Sequence, residues 1–240
     1  MAHYNQEYFV RYILNIFAKH DSIIVNVGSA NVNGSLKKYK NQVDIDLDAV
    51  EGVNVVANAS SLPIVNNCAD IYISSECYEH NPTWKKSIDE ALRILKDDGL
   101  GILTVASLVR YEHGTKRTTP HASPGTNALG WNYYKNLYHK EIKNQFEKNT
   151  INNKYNILYN YYSSDLYVIF VKNPSKNKTE KINEIVKACG IENTLIYQAD
   201  NWGEPLKLSL KLILSLVTRL IEYNITNEFL FIIKKLKIKK

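Results

Sequence analysis

Cysteine is scarce in this 240-residue chain: three residues, Cys68, Cys77 and Cys189, with no Cys-x-x-Cys pair among them. That excludes a disulfide framework and gives no metal-ligand spacing, so no metal site is expected and a reducing, cytoplasmic setting fits. No run approaches the ~18 consecutive apolar residues that a membrane span needs, so none is expected. Residues 1–20 lack an apolar core bounded by a small-residue cleavage site, and no leader is expected there. Net charge is nearly missing from the first 172 residues, where 18 Lys and Arg face 17 Asp and Glu. The last 68 residues hold 12 against 7, so the basic character of the chain sits in its tail. A nucleic-acid groove in the core is thereby disfavoured.

What is present is a globular composition, 45% hydrophobic with 17 Tyr. The organising stretch is Ile23-Ile24-Val25-Asn26-Val27, a β-branched run that reads as a strand buried on both faces. It ends at Gly28, where the absence of a side chain permits close approach of a ligand, and a polar loop, Ser29 to Ser35, comes next. Ahead of it, Phe9, Tyr12, Ile13, Ile16 and Phe17 fall at helical spacing. Further strands are expected at Gln42–Asp46, Val53–Ala57, Ala69–Ser75 and Leu100–Ala106. A helix opened by Asn81-Pro82, with apolar face Trp84, Ile88, Ala91, Leu92 and Leu95, precedes the last of these. A helix over 135–148 and an antiparallel hairpin, Asn156–Tyr162 with Leu166–Lys172, complete the pattern. The connections around the second and third strands are shorter than parallel crossovers usually are. The alternation predicts an α/β fold, a doubly wound and mostly parallel sheet closed by the hairpin. Residues 1–172 are expected to form that domain and 173–240 a linker with a basic helical appendage.

Five pieces in order resemble the class I S-adenosylmethionine-dependent methyltransferases, specifically the type 11 methyltransferase domain, which has a Rossmann-like sheet. They are Val27-Gly28, Val43-Asp44-Ile45, Asn58-Ala59-Ser60-Ser61-Leu62-Pro63, Ser74-Ser75-Glu76-Cys77-Tyr78-Glu79-His80, and Glu90-Ala91-Leu92-Arg93-Ile94-Leu95-Lys96-Asp97-Asp98-Gly99. The resemblance implies S-adenosylmethionine as cofactor and a cofactor site of Asn26, Gly28, Ser29, Asp44, Asp46, Asn58, Ala59, Ser60, Leu62 and Ser75. Asp44 stands at the family's position for holding the ribose hydroxyls through charge-assisted hydrogen bonds, and Asp46 points to the same face. The chain departs from the pattern at three positions: Asn26 replaces an acid, Gly28-Ser29-Ala30 replaces Gly-x-Gly, and Asn58 replaces Asp. Asn keeps the geometry and loses the charge, which lowers the expected affinity for a cationic cofactor.

Three histidines are candidate bases: His80, just beyond the fourth strand, and His113 and His121 in the long loop after the fifth. In that loop Lys116 and Arg117 are candidate phosphate ligands. Trp131, Tyr133 and Tyr134, with Tyr78 upstream, are candidate contacts for a sugar or base. The alternative for 111–124 is a plain surface loop. Together with Asp165-Leu166-Tyr167 the segment is similar to a subgroup associated with surface-glycan biosynthesis. That implies O-methylation of a sugar, a nucleotide-activated sugar or a related glycan precursor, a small-molecule acceptor rather than nucleic acid. A catalytically silent methyltransferase-fold partner is the alternative that Asn26, Ala30 and Asn58 motivate. A nucleotide-binding oxidoreductase ranks third, because Gly28 to Gly34 lacks Gly-x-Gly-x-x-Gly. In the tail, the apolar stretch 205–221 and the closing lysines 234–240 fit either packing in a homodimer or peripheral contact with an anionic inner-membrane surface.

Overall fold

The computed structural model describes residues 4–29, 39–108, 110–160 and 163–188. The sequence elements appear as α1 (Tyr4–Phe17), β1 (Ile24–Val27), β2 (Gln42–Asp46), β3 (Val55–Val56), β4 (Ala69–Ser75), α2 (Trp84–Ile94) and β5 (Leu95–Ala106). Then come α3 (Pro124–Ala128), α4 (His139–Lys148), β6 (Asn153–Asn160), β7 (Asp165–Lys172) and α5 (Lys176–Ala188). The seven strands form one sheet in the order β3-β2-β1-β4-β5-β7-β6. The first five pair in parallel, and β7 runs antiparallel between β5 and β6.

β1 is buried at all four positions, as its β-branched run requires of a central strand. Chain order reverses beside it: β1 leads outward to β2 on one side, while β4 lies on its other side. The carboxyl ends of β1 and β4 therefore flank the crevice where open α/β sheets bind ligands. Two apolar layers sandwich the sheet. One joins Trp84, Ile88, Ala91 and Leu92 of α2 to Ile142 and Phe146 of α4. The other joins Phe9, Val10, Ile13 and Leu14 of α1 to Ile182 and Ile185 of α5.

The short connections have a simple form. Residues 47–54 link parallel β2 and β3 through turns alone, which suffices because β3 contributes only two residues at the sheet edge. β5 begins at Leu95 rather than Leu100: Ala69 pairs with Leu95 before a register shift, so Asp97-Asp98-Gly99 lies inside the strand. α4 starts at His139, because Lys135 and Leu137 donate their backbone N–H to Glu79 and Ala106 and stay extended. α5 begins at Lys176, within the stretch expected to be a polar linker, and seats Ile182 and Ile185 in the core. The appendage expected over 205–240, with its dimer and membrane readings, lies outside the described residues. Among the described residues no helix is long and apolar enough to cross a membrane.

Candidate active site

The crevice at the β1–β4 reversal is a cleft partly open to solvent. Its floor is Val27 and Gly28 from β1, Asp46 and Leu47 from β2, and Glu76 and Cys77 beyond β4. Ala57 and Ala59 line one side, His80 and Asn81 another, and Ala122 to Thr126 close over it. Gly28 is required twice over. Its φ is +75°, and a Cβ there would lie 2.6 Å from the Cys77 Cβ.

The two aspartates of β2 divide. Asp46, at the strand tip, lines the cleft. Asp44 sits two residues inside the strand, buried, and accepts hydrogen bonds from Asn26 Nδ2 at 2.7 Å and Gln42 Nε2 at 3.0 Å. The position expected to hold the ribose is thus occupied with sheet structure, and the carboxylate facing the cleft is Asp46. Asn26 likewise turns to Asp44 rather than to the cleft. Asn at position 26 supplies a donor to the Asp44 carboxylate that an acid would not. Ser29 is buried with its Oγ directed at the Ile45 carbonyl. Ser75 is buried at the β4 tip.

The stretch 57–62 is tied to α2. Asn58 Oδ1 accepts from Ser60 N at 3.0 Å and from Asn81 Nδ2 at 3.2 Å, and Ser60 Oγ accepts from Thr83 Oγ1 at 2.9 Å. Leu62 N donates to Glu90 at 2.8 Å, and Leu62 is buried. Arg93 holds the chain from Leu62 to Ile64. It grips Glu90 with Nε at 2.7 Å and Nη2 at 2.8 Å, and donates to the carbonyls of Leu62 at 3.1 Å and Ile64 at 2.7 Å. The Glu90–Arg93 spacing thus clamps the border of the cleft.

Beyond β4 lies a buried polar cluster. Glu79 and His80 are buried, and His113 is brought against them from the loop after β5. The His80 ring lies 4.9 Å from that of His113 and 5.5 Å from that of Tyr134, with His113 and Tyr134 5.0 Å apart. Gly114 (φ +70°) makes this approach possible, since a Cβ there would meet His80 Cε1 at 2.7 Å. Burial, with His113 beside it, pushes the His80 pKa down to about 3. Burial also lowers His113 to about 4, against a small opposing effect of the Tyr111 carbonyl. Both imidazoles are therefore neutral at pH 7. Glu76 stands in the left-handed region at φ +51°, a strain of about 1–3 kcal/mol for a residue with a side chain. Its carboxylate accepts from Gln6 of α1 and lies 3.6 Å from Arg110 Nη2. Desolvation raises Glu76 and raises Glu79 well above the usual carboxylate range, the Glu76 charge adding to the second shift.

Several expected site residues are placed elsewhere. Tyr78 points into the core, where its hydroxyl meets that of Tyr72 at 2.8 Å and donates to the Ser87 carbonyl at 3.1 Å, so it is no acceptor contact. His121 is exposed, although its neighbour Ala122 lines the cleft. Lys116 is exposed, and Arg117 is engaged with Glu112 at 2.8 Å. Trp131 and Tyr133 are half-buried, and Tyr134 is fixed by its hydroxyl to the Tyr111 carbonyl and Asn136. The 111–134 segment is folded rather than a plain loop: Asn127 Nδ2 donates to the carbonyls of Gly114, Pro120 and Ser123. Glu76, Cys77, Gly125 and Thr126 had no assigned role in the sequence, and they meet Asn81 and Ala122–Pro124 only through the fold. The one signal was that Glu76 directly succeeds a strand tip.

Residues 15–103 match the family model described as a methyltransferase domain. No curated protein sequence matches the chain. Among solved structures, the chain is similar to the YcgJ protein of Bacillus subtilis, at 13% identity and TM-score 0.48 over 72% of this chain and 100% of that one. It is similar also to BH2331 from Bacillus halodurans C-125, at 12% identity and TM-score 0.46 over 69% and 99%. A third is phosphoethanolamine N-methyltransferase 2 of Haemonchus contortus in complex with S-adenosyl-L-methionine, at 12% identity and TM-score 0.47 over 72% and 53%. Strand order, glycine turn and acid-tipped second strand agree with the family match, so residues 15–103 are similar in sequence and in arrangement to a methyltransferase domain.

Proposed function

We propose that the domain transfers a methyl group to a hydroxyl of a sugar, a nucleotide-activated sugar or a related surface-glycan precursor. The observation that carries this reading is His80 on the cleft wall, a neutral imidazole facing the strand-tip site from beneath the folded 111–134 segment. When bound, S-adenosylmethionine supplies an electrophilic sulfonium methyl. The cleft fits it: Asp46 offers a carboxylate to ribose hydroxyls, Gly28 leaves the backbone open, and Ala57 and Ala59 give a small apolar wall for a flat base. Trp131, Tyr133 and Lys116 do not line the cleft itself, so a sugar ring or phosphate would reach them only outside it, along the 111–134 segment whose Ala122–Thr126 form part of the cleft wall.

His80 accepts a hydrogen bond from the acceptor hydroxyl and sets the oxygen in line with the methyl. With a pKa near 3 it is a weak proton acceptor, so its main contribution is orientation. The hydroxyl proton released as the O–CH3 bond forms and the S–CH3 bond breaks would pass on to solvent at the open side of the cleft. Positioning of this kind supplies about 7–11 kcal/mol of a barrier, against roughly 3–5 kcal/mol for a well-matched base. The test is transfer of labelled methyl to a panel of nucleotide sugars, with amine and thiol acceptors alongside. We expect label on hydroxyl oxygen and a His80→Ala turnover about 10²-fold lower at unchanged cofactor affinity. Label on amines or thiols alone would contradict the acceptor class. Cofactor binding without transfer to any acceptor would favour the silent-partner reading.

A further inference from the structure

We propose that Glu79, His80 and His113 form a site for one divalent transition-metal ion at the wall of the cleft. One ligand atom from each of the three lies within 4.8 Å of the others, close enough to share an ion after small side-chain adjustments. The set of two imidazoles and one carboxylate selects Zn, Mn, Fe or Co over Mg and Ca, which prefer all-oxygen shells.

Unpartnered buried atoms point to the ligand. Both Glu79 carboxylate oxygens, both His80 ring nitrogens and His113 Nε2 are buried without a hydrogen bond of normal geometry, with only the Tyr133 backbone beside His80 and Glu76 beside Glu79. Glu79 is fully buried and His80 is 3% exposed. Such groups ordinarily find partners, and an ion held by one atom from each residue would satisfy three of these five at once. His113 Nδ1 is already in contact with the Tyr111 carbonyl at 3.1 Å, which fixes the ring with Nε2 turned inward.

Charge points the same way. Glu76, Glu79 and Asp165 are buried together, and among the described residues Arg110 is the cation they meet, 3.6 Å from Glu76 and 3.9 Å from Asp165. An ion there would add positive charge where the carboxyl groups of Glu76, Glu79 and Asp165 lie together. The Tyr111 carbonyl is thus the outer partner that orients His113, while Glu76 Oε2, 3.9 Å from His113 Nε2, lies on the side of the ion. The two histidines come from different elements, which is why no spacing in the sequence announces them. Because His80 and Glu76 line the cleft, the ion would meet an acceptor hydroxyl there in place of the bare imidazole. That consequence rests on the methyl-transfer reading; the ion's binding does not.

The experiment uses the full chain, stripped with a chelator and titrated with cobalt(II) alone, without cofactor or acceptor. We expect saturation at one equivalent, with visible d–d bands and no sulfur-to-cobalt charge-transfer band, since Cys77 is not a ligand. Glu79→Gln and His113→Ala should each weaken binding at least tenfold, with far-ultraviolet circular dichroism unchanged. His113 lies on a loop, so its variant stays informative should Glu79→Gln fail to fold. Absence of saturable binding, or binding that His113→Ala leaves intact, overturns the proposal. A cobalt site in a protein that fails to bind adenosylhomocysteine would sink the function proposed above and leave this one standing.

Discussion

Arg93→Ala should cost the domain about 2–4 kcal/mol of stability. Arg93 makes five hydrogen bonds: two to Glu90, and one each to the Leu62 carbonyl, the Ile64 carbonyl and Asn66 Oδ1. Bonds to charged groups are worth about 1.5–3 kcal/mol each, a gross sum near 10 kcal/mol. Two corrections reduce it. The side chain is 30% exposed, so water replaces part of what is lost, and the variant no longer has to immobilise a long side chain, a cost of about 2 kcal/mol. The assay is urea unfolding at pH 7. With a slope of about 3 kcal/mol per molar for a chain of this size, the midpoint should fall by roughly 1 M. pH supplies a second check. Hydrogen bonding from Arg93 holds the Glu90 carboxyl below its usual value, against desolvation, with Leu62 N and the Arg93 charge assisting. A depressed carboxyl contributes stability that is present above pH 4.5 and lost as pH falls through the folded value. The gap between wild type and variant should therefore narrow in acid. A midpoint shift equivalent to less than about 0.5 kcal/mol, or an Arg93→Lys variant as stable as wild type, would refute the clamp, because lysine has no fork to span these acceptors.

The same geometry gives two further outcomes. Asn26→Asp should destabilise by about 2–4 kcal/mol at pH 7 by burying a carboxylate against Asp44, and adding Asp44→Asn should restore most of it; equal loss in the double variant, by thermal or urea unfolding, would contradict the pairing. Tyr78→Phe should lower stability by about 1–2 kcal/mol, by stranding the Tyr72 hydroxyl, while the Michaelis constant for the acceptor is unchanged; a raised constant would return Tyr78 to the cleft.

The parts of the fold that sequence made legible are those fixed by local pattern. β2 and β4 fall within their expected bounds, and α2 buries Trp84, Ile88, Ala91 and Leu92 as its spacing requires. Errors gather where tertiary pairing overrides local signals. Asp97-Asp98-Gly99 reads as a stop, yet Leu95 pairs with Ala69 and carries the strand through it. The start of α5 at Lys176 was hidden because the helix is mostly charged and two isoleucines suffice to dock it. At the site, period-two reasoning put Asp44 and Asp46 on one face and could not say which one the neighbouring strand would claim. That depended on Asn26, one strand away. The meeting of Glu79, His80 and His113 was invisible for the same reason, since it needs the loop after β5 to fold back across the tip of β4.

The central claim is that the strand-tip cleft holds the cofactor with Asp46 as its ribose acceptor. Isothermal calorimetry with adenosylhomocysteine on wild type, Asp46→Ala and Asp44→Ala tests it directly. The account predicts one site per chain in wild type, an Asp46→Ala affinity weaker by about 1.5–3 kcal/mol, and an Asp44→Ala protein that is less stable yet binds, once folded, within a few-fold of wild type. Binding lost with Asp44→Ala and kept with Asp46→Ala, or absent from the wild type, would contradict it.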